Sequence, residues 1–255
     1  MPHISLVIPA FNEEDFLPAL LDTVDQARAE YSGDPDAIEV VVADNDSSDR
    51  TAEIARDQGC KVVSVERRRI AAARNAGGRV AEGDIIAFVD ADSLIHPDTF
   101  NAIDRTLQDD VIIGATGITM SRWSLGIGVS LALLYPVIYA IGADSGVVFC
   151  RRSDWEEVGG YNESMTFAED VDFFLRLRKL GRTRGQRFRR TTGARTVTSA
   201  RKFDRHGEWH YVKAMALGPV WLATNREALR EFAQMYWYDD RAVSRTPSEG
   251  PSSPR

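Results

Sequence analysis

Short apolar segments alternate with amphipathic segments over roughly the first hundred residues, and this alternation constrains the fold more than any other feature. Each apolar segment has the length and the composition of a buried strand. The predicted strands are Ile4–Pro9, Ile38–Ala43, Lys61–Val65 and Ile85–Val89. The predicted helices are Glu14–Tyr31, Asp49–Gln58, Ile70–Val80 and one that begins near Pro97. This order predicts an α/β fold with a doubly wound, mostly parallel sheet and helices on both faces.

The second half of the chain is less regular. Its candidate strands and helices are Val111–Ala115, Leu125–Ile141, Gly146–Cys150, Ser153–Val158 and Val171–Leu180. Residues 182–199 are rich in arginine and suggest basic loops or short strands. Trp209–Tyr238 has a helical pattern, whereas residues 241–255 are rich in Ser, Pro and Arg and are expected to form a disordered tail. We therefore expect a single domain over residues 1–240.

Composition and charge exclude several classes of protein. Hydrophobic residues make up 44% and charged residues 27% of the chain, as in ordinary soluble globular proteins. The formal net charge of −7 argues against a nucleic-acid partner, because phosphate backbones attract basic surfaces. Cys60 and Cys150 cannot build a disulfide framework, and the N-terminal residues lack the basic region of a signal peptide. These features predict a cytoplasmic protein with reduced thiols.

Acidic residues lie where two of the predicted strands end. Asp44-Asn45-Asp46 follows the second strand, and Asp90-Ala91-Asp92 follows the fourth. Packing does not explain these acids, since an unpaired buried carboxylate is unfavourable. In an extended segment Asp90 and Asp92 would point to the same side and could share a divalent cation, which prefers oxygen ligands. The alternative is a solvated turn with helix-capping acids.

A series of motifs in a fixed order resembles those of family-2 glycosyltransferases. The motifs are Val7–Glu14, Val41–Thr51, Ala73–Gly77, Ala81–Asp84, Phe88–Ser93, Gly159–Glu163 and Glu169–Phe173. The resemblance implies a GT-A fold, with a nucleotide-binding half over 1–116, an acceptor-side half over 117–205 and a helical C-terminal segment over 206–240. Asn45 and Asp46 depart from the family pattern, in which an acid followed by Gly is more frequent.

The resemblance implies an inverting transferase that moves a sugar from a nucleoside-diphosphate sugar to an acceptor, assisted by Mn²⁺ or Mg²⁺. By resemblance, the donor would be held by Pro9, Ala10 and Glu13 along the nucleoside, Asp44 at the base, Asp90 near the ribose, and Arg74 and Arg201 at the diphosphate. The metal would be bound by Asp92, together with Asp90. The planar N–H donors of an arginine suit a diphosphate, which supports the role given to Arg201.

The dipeptide Glu169-Asp170 provides the candidate catalytic carboxylates. By resemblance, Asp170 is the base that takes the acceptor proton, and Glu169 holds the loop or an acceptor hydroxyl. The apolar face of the helix that follows is formed by Phe173, Phe174 and Leu177. Helical spacing places Asp170 on that face, which predicts that its carboxylate is desolvated. The alternative is an acid that only interacts favourably with the helix dipole.

Residues 123–143 contain no charged side chain, although Gly, Ser and Pro interrupt the apolar run. The first interpretation is a buried or interfacial helix. A membrane span, a homodimer face, a peripheral membrane contact and a groove for a lipid-linked acceptor are the alternatives, since ~20 apolar residues suffice to span a bilayer.

Other functions remain alternatives at this point. A nucleotidyltransferase also binds nucleotide and metal on a doubly wound sheet, but the sequence has no Gly-rich first loop followed by a basic residue, and Glu169-Asp170 would lack a role. A catalytically silent sugar-nucleotide-binding protein is the alternative from another class. The sequence leaves open whether the donor is a UDP-sugar or a GDP-sugar, and which acceptor is used. His206 and His210 could complete a metal site, but such residues more often serve packing or the surface.

Overall fold

The structure, a computed structural model, describes residues 2–141, 145–165 and 168–207. Within these residues eight strands form one sheet: β1 Ile4–Ala10, β2 Ile38–Asp44, β3 Lys61–Ser64, β4 Ile85–Phe88, β5 Ser93–Leu94, β6 Val111–Met120, β7 Ser145–Arg151 and β8 Arg187–Thr198. The α-helices described are α1 Leu17–Ala29, α2 Thr51–Asp57, α3 Ile70–Val80, α4 Thr99–Thr106, α5 Leu125–Ile141, α6 Arg152–Glu157, α7 Glu169–Thr183 and α8 Arg201–His206. The predicted helix Trp209–Tyr238 and the predicted tail 241–255 lie outside the described residues.

The strands lie in the order β3-β2-β1-β4-β7-β6-β8-β5. The pairs β1–β2, β1–β4, β2–β3 and β6–β8 are parallel. Strand β7 runs antiparallel to both β4 and β6, and β5 runs antiparallel to β8. The predicted α/β class with a mostly parallel sheet is therefore confirmed. Strand β7 joins the regular first half of the sheet to the second half.

Both faces of the sheet are covered, as the continuous apolar strands require. Leu6 and Ile8 of β1 belong to a core cluster with residues of α1 and α4. Val7, between them, belongs to a second cluster with residues of α3 and α7. Successive side chains of a strand point to opposite faces, so β1 contributes to both cores. Burial on both faces fixes the position of this strand at the centre of the molecule.

The structure differs from the predicted elements mainly in the second half. Strand β6 continues to Met120, beyond the predicted end at Ala115, and β8 is one long strand where basic loops or short strands were predicted. The two strands pair with each other, and a hydrogen bond of 2.7 Å joins the buried hydroxyl groups of Thr116 and Thr196. Pairing between distant segments stabilises β8 despite its charged sequence, and such pairing is not visible in local patterns.

Helix α7 continues past Gly181, which the sequence suggested as its end. A Cβ atom at position 181 would lie 2.6 Å from Cγ2 of Ile112. Glycine is therefore required here because the helix packs closely against β6, and not because the helix ends. Because glycine has no side chain, α7 can pack directly against β6 at this position.

Helix α5 coincides with the predicted apolar segment. Ile127 is buried in a small cluster with Met120 and Phe203. On the same segment, Trp123 is 62%, Leu125 80% and Leu133 54% exposed, so burial extends over only part of the helix surface. None of the helices in the described part of the chain combines the length and the apolar character needed to cross a bilayer.

Candidate active site

The carboxyl ends of β1, β2 and β4 lie side by side and carry most of the predicted site residues. Ala10 of β1 is in register with Asp44 of β2, and β4 ends just before Asp90. Pro9 and Ala10 are buried, and Pro9 lies two positions past the last residue of β1 in register with β4, while it stays in register with β2. A residue without an N–H group is tolerated where strand pairing ends. The ends of the strands therefore form one edge, as parallel topology predicts.

The loops that follow β1 and β2 are joined by reciprocal hydrogen bonds. The backbone N–H of Asn12 donates to Oγ of Ser47 at 3.0 Å, and Oδ1 of Asn12 accepts from the backbone N–H of Ser48 at 2.8 Å. Asp46 has a φ of 63°, a left-handed conformation in which Asp is tolerated. This explains how Asp46 replaces the Gly that the resemblance leads one to expect. Asp44 is buried beside this junction, and its Oδ1 accepts from the N–H of Ser47 at 3.3 Å.

Arg74 of α3 connects two of the predicted acids. Its Nη2 donates to Oδ1 of Asp90 at 3.0 Å, and its Nη1 donates to Oε1 of Glu169 at 2.9 Å. The guanidinium carbon lies 5.1 Å from the centre of the Tyr161 ring. Only 10% of the Arg74 side chain is exposed. We call Arg74, Asp90 and Glu169 the Arg74 cluster; it holds the N-terminus of α7 against the end of β4.

Burial and charge oppose each other in the Arg74 cluster. Burial disfavours the charged guanidinium, but Asp90 and the other nearby acids outweigh it, so the pKa of Arg74 is raised. Burial raises the pKa of the Glu169 carboxyl above its ordinary value, and the charge of Arg74 limits that rise. Burial also raises the pKa of the Tyr161 phenol. Arg74 thus remains a permanent cation among buried groups.

Arg201, at the start of α8, connects two further acids. Its Nη1 donates to Oε2 of Glu13 at 3.0 Å, and its Nη2 donates to Oε1 of Glu13 at 3.2 Å and to Oδ2 of Asp92 at 3.0 Å. The guanidinium carbon lies 4.6 Å from the centre of the Phe16 ring. We call Arg201, Glu13 and Asp92 the Arg201 cluster. It joins the β1–α1 connection, the β4–β5 turn and α8, which are far apart in sequence.

The two acids that open α7 differ in burial, and the burial of Asp170 is not the one predicted. Asp170 is exposed and its Oδ1 accepts from the N–H of Val171 at 2.8 Å, whereas Glu169 is buried. The predicted desolvation of Asp170 on the apolar face is therefore wrong. The reason is Arg74, because a buried guanidinium requires a carboxylate partner and Glu169 provides it. Ala168, with a φ of 58°, sets the backbone direction from which the helix begins.

Asp90 and Asp92 lie in a turn between β4 and β5, and not in the extended segment that the spacing suggested. Each carboxylate bonds to a different arginine. In the residues that the structure describes, no group of three His, Cys, Asp or Glu converges as in a site built by protein ligands alone. Two carboxylates nevertheless fit Mg²⁺ or Mn²⁺ bound jointly with substrate phosphates, which supply the remaining oxygen ligands. The side chain of His206, and His210 as a whole, lie outside the description.

Comparison with known proteins identifies the first half of the chain. Residues 5–124 match the family described as Glycosyl transferase family 2. Over these residues the chain is similar to glycosyl transferase family 2. The putative glycosyltransferase EpsH of Bacillus subtilis is 30% identical over 114 residues, which are 43% of this chain and 31% of EpsH. The undecaprenyl-phosphate 4-deoxy-4-formamido-L-arabinose transferase of Aeromonas hydrophila is 34% identical over 119 residues, 44% of this chain and 36% of that enzyme. The chain thus spans about a third of the length of these two relatives.

Solved structures of glycosyltransferases share the fold of this chain. The mannosyltransferase PcManGT of Pyrobaculum calidifontis, in complex with GDP-Man and Mn²⁺, has a TM-score of 0.60 at 20% identity, covering 96% of this chain and 77% of its own. TarS 1–349 of S. aureus, in complex with UDP-GlcNAc, has a TM-score of 0.52 at 23% identity, covering 69% of this chain and 53% of its own. Glucosyl-3-phosphoglycerate synthase of Mycobacterium tuberculosis, in complex with Mn²⁺, UDP and glucosyl-3-phosphoglycerate, has a TM-score of 0.56 at 19% identity, covering 85% and 79%. These similarities show the GT-A fold.

Asn75 is a residue of this site to which the sequence analysis assigned no role. Its Nδ2 donates to the carbonyl of Tyr161 at 2.8 Å and to Oε1 of Glu163 at 2.9 Å, and its Oδ1 accepts from the N–H of Tyr161 at 2.7 Å. Gly160 has a φ of 65°, and a Cβ atom there would lie 2.5 Å from Oδ1 of Asn75. Asn75 thus fixes the acceptor-side loop to the helix that carries Arg74. Its place in the Ala73–Gly77 motif was the available signal.

Proposed function

We propose that the protein transfers a sugar from a nucleoside-diphosphate sugar to an acceptor hydroxyl by a single, inverting displacement. The observation that carries this proposal is the convergence of acids from separate elements at one edge of a GT-A sheet. The acids are Asp44, Asp90, Asp92, Glu13 and Glu169, with Asp170 beside them. Ligands bind at this edge in doubly wound sheets.

The donor side of the proposal rests on the ends of β1 and β2. Pro9 and Ala10 would form a wall of the nucleoside pocket, and Asp44 would accept hydrogen bonds from the base. The joined loops after β1 and β2 keep these groups in place before any ligand arrives. Similar structures were solved with UDP-GlcNAc, GDP-Man and UDP, which supports a UDP- or GDP-sugar as the donor class.

Asp92, assisted by Asp90, would hold a divalent cation together with the diphosphate of the donor. When bound, Mn²⁺ or Mg²⁺ supplies positive charge that stabilises the departing nucleoside diphosphate. Two of the similar structures contain Mn²⁺, which supports a divalent metal. Arg74 would position Asp90, and its buried positive charge would favour the diphosphate nearby.

Asp170 is the better of the two candidate bases. A base must reach the acceptor hydroxyl, and Asp170 is exposed at the N-terminus of α7. Glu169 is buried and its Oε1 bonds to Arg74, so its role would be to position the helix that carries the base. Asp170 directly follows Glu169 in α7, so its backbone lies next to the Arg74 cluster.

The acceptor side of the proposal includes a contact with membranes. Trp123, Leu125 and Leu133 are exposed on a segment without charged side chains, and such residues favour the interface of a lipid bilayer. One relative is an undecaprenyl-phosphate transferase, which supports a lipid-linked acceptor. We therefore place the protein in the cytoplasm at the membrane periphery, as one domain over residues 1–240. Flotation with phospholipid vesicles tests this contact, and we expect the double variant Trp123→Ser with Leu125→Ser to lose it. A stable dimer in sedimentation experiments without vesicles would favour a homodimer face instead.

The test of the function is a screen of UDP-, GDP- and dTDP-sugars for turnover with Mn²⁺. We expect one nucleotide class to be turned over with release of the nucleoside diphosphate, and the first-formed sugar product to have the opposite anomeric configuration by ¹H NMR. Asp170→Asn should lower turnover strongly, whereas Asp98→Asn, a half-buried acid at the start of α4, should retain it. Release of pyrophosphate would favour a nucleotidyltransferase. Binding without any turnover would favour a silent sugar-nucleotide-binding protein.

A further inference from the structure

Arg201 bonds to Asp92, the carboxylate that the proposed function assigns to the divalent metal ion. One guanidinium group bonds to Glu13, of which 2% is exposed, and to Asp92, the predicted metal ligand. Its positive charge therefore neutralises two acids that would otherwise be costly to hold in a partly buried place. In the arrangement described here, both terminal nitrogens of Arg201 already donate to carboxylates.

The geometry of the Arg201 cluster allows one bond to open while the other remains. Nη1 and Nη2 both bond to Glu13, whereas the bond to Asp92 is made by Nη2. The Arg201 side chain is 24% exposed, compared with 10% for Arg74, so solvent and ligands have access to it. Stacking on Phe16 supports the guanidinium plane from one side. A rotation of the group could therefore release Asp92 without separating Arg201 from Glu13.

We propose that Arg201 is a latch on Asp92, which disfavours binding of a divalent cation until a nucleoside diphosphate enters. The proposal rests on the proposed function. The diphosphate offers the guanidinium a replacement anion, and Arg201 suits it because its planar donors match phosphate oxygens. Asp92 is then released to the cation. Metal and donor would consequently bind together, and Arg201 would change partner from a carboxylate to a phosphate.

The latch predicts a quantitative coupling between the two ligands. If the latched form makes up about nine-tenths of the donor-free protein, the affinity for a cation is lowered about tenfold. Binding of a nucleotide removes this reduction in addition to offering its own phosphate ligands. By linkage, the cation strengthens nucleotide binding by the same factor.

The experiment is a titration of Mn²⁺ followed by electron paramagnetic resonance, with and without UDP and GDP. In Arg201→Met we expect Mn²⁺ to bind the nucleotide-free protein about tenfold more tightly, and the factor by which nucleotide strengthens Mn²⁺ binding to fall about tenfold. Arg105→Met, which removes an exposed arginine bonded to Asp98, is the control and should leave both quantities unchanged. If Arg201 acted only through its positive charge, Arg201→Met would bind Mn²⁺ more tightly, but nucleotide would strengthen Mn²⁺ binding by the same factor as in the wild type. That result would overturn the latch and leave the proposed function intact. Absence of joint binding in the wild type overturns the proposed function and the latch with it.

A second measurement uses the wild-type protein and does not depend on the folding of a variant. The Nε–Hε signal of Arg201 in an NMR spectrum, assigned with Arg201→Lys, reports on the partner of the guanidinium. Mg²⁺ together with UDP or GDP should change the chemical shift of this signal. The same concentration of Mg²⁺ without nucleotide should leave the chemical shift unchanged. Movement of the signal by Mg²⁺ alone at those concentrations would contradict the latch.

Discussion

The Arg74 cluster and the Arg201 cluster use the same chemistry in different surroundings. In each, one guanidinium bridges two acids from separate elements, with donor–acceptor distances between 2.9 and 3.2 Å. Arg74 comes from the centre of the molecule and is 10% exposed, whereas Arg201 comes from the short helix α8 and is 24% exposed. The Arg74–Glu169 pair is buried on both sides and forms part of the scaffold, although Asp90 is exposed. In the Arg201 cluster it is the guanidinium that is more accessible to a ligand.

The difference shows how one ion-pair geometry can serve two purposes. A buried pair is difficult to open, because each separated charge would remain without solvent. A pair at the edge of the site can exchange one partner, because solvent and an incoming anion replace the lost contact. We therefore assign the positioning of α7 to Arg74 and the response to ligands to Arg201.

The largest effect is expected from Asp170, which lies outside both clusters. Asp170→Asn should lower turnover about 10³-fold, about 4 kcal/mol in the barrier, because the acceptor proton loses its base. Nucleotide binding should remain near that of the wild type. The measurement is kcat with saturating donor, alongside the dissociation constant of the nucleotide. Comparable losses in turnover and in nucleotide affinity would show that Asp170 contributes to donor binding instead.

The second prediction separates the two arginines by stability. Arg74→Met should lower the free energy of unfolding by about 3–5 kcal/mol, since it leaves acids without their buried partner. Arg201→Met should lower it by about 2 kcal/mol, as expected when a buried acceptor loses its donor. Urea unfolding with and without Mn²⁺ provides the measurement. A ligand that binds the native state stabilises it, so Mn²⁺ should raise the free energy of unfolding of Arg201→Met. Mn²⁺ should not do so for Arg74→Met, and if it did, the two clusters would not differ in the way proposed.

The third prediction concerns pH and the Arg74 cluster. Because burial raises the pKa of Glu169, the native state binds a proton more readily than the unfolded state. This contribution to stability is fully present below the ordinary glutamate pKa and is lost as pH rises through the raised value. The difference in stability between wild type and Glu169→Gln should therefore fall with rising pH in that window, by at most about 1.4 kcal/mol per pH unit. A difference that grows with rising pH would show that Arg74 dominates over burial.

The smallest effect concerns the backbone that leads Glu169 to Arg74. Ala168 has a φ of 58°, which glycine adopts at less cost than alanine. Ala168→Gly should stabilise the protein by about 0.5–1 kcal/mol. Ala19→Gly, at an exposed position within α1, is the control and should destabilise it by a similar amount. Thermal unfolding of both variants measures the effect, and destabilisation by Ala168→Gly would show that no strain is relieved there.

The sequence predicted the first half of the fold well, because its signals are local. Ile70–Val80 has the predicted bounds, and the four strands of that half begin at the predicted residues. Strand β8 was not predicted as one strand, because its stability comes from pairing with β6 and not from its own arginine-rich sequence. The position of antiparallel β7 depends on the same kind of distant pairing.

The acids of the site could also be located from the sequence, but their partners could not. The ends of β2 and β4 placed Asp44, Asp90 and Asp92 at one edge, as parallel topology requires. The sequence could not show that Arg74 binds Glu169 across 95 positions, and this contact buries Glu169 in place of Asp170, for which burial was predicted. The bond between Arg201 and Asp92 spans 109 positions and was equally inaccessible to local reasoning.

The most direct test of the central claim is calorimetric titration of UDP and GDP, with and without Mn²⁺, on the wild type and on Asp92→Ala. We predict that Mn²⁺ strengthens the binding of one of the two nucleotides to the wild type. In Asp92→Ala, Mn²⁺ should no longer strengthen that binding. Arg105→Met serves as the matched variant outside the site and should bind as the wild type does. Nucleotide binding that needs neither Mn²⁺ nor Asp92, or no binding of either nucleotide, would contradict the account.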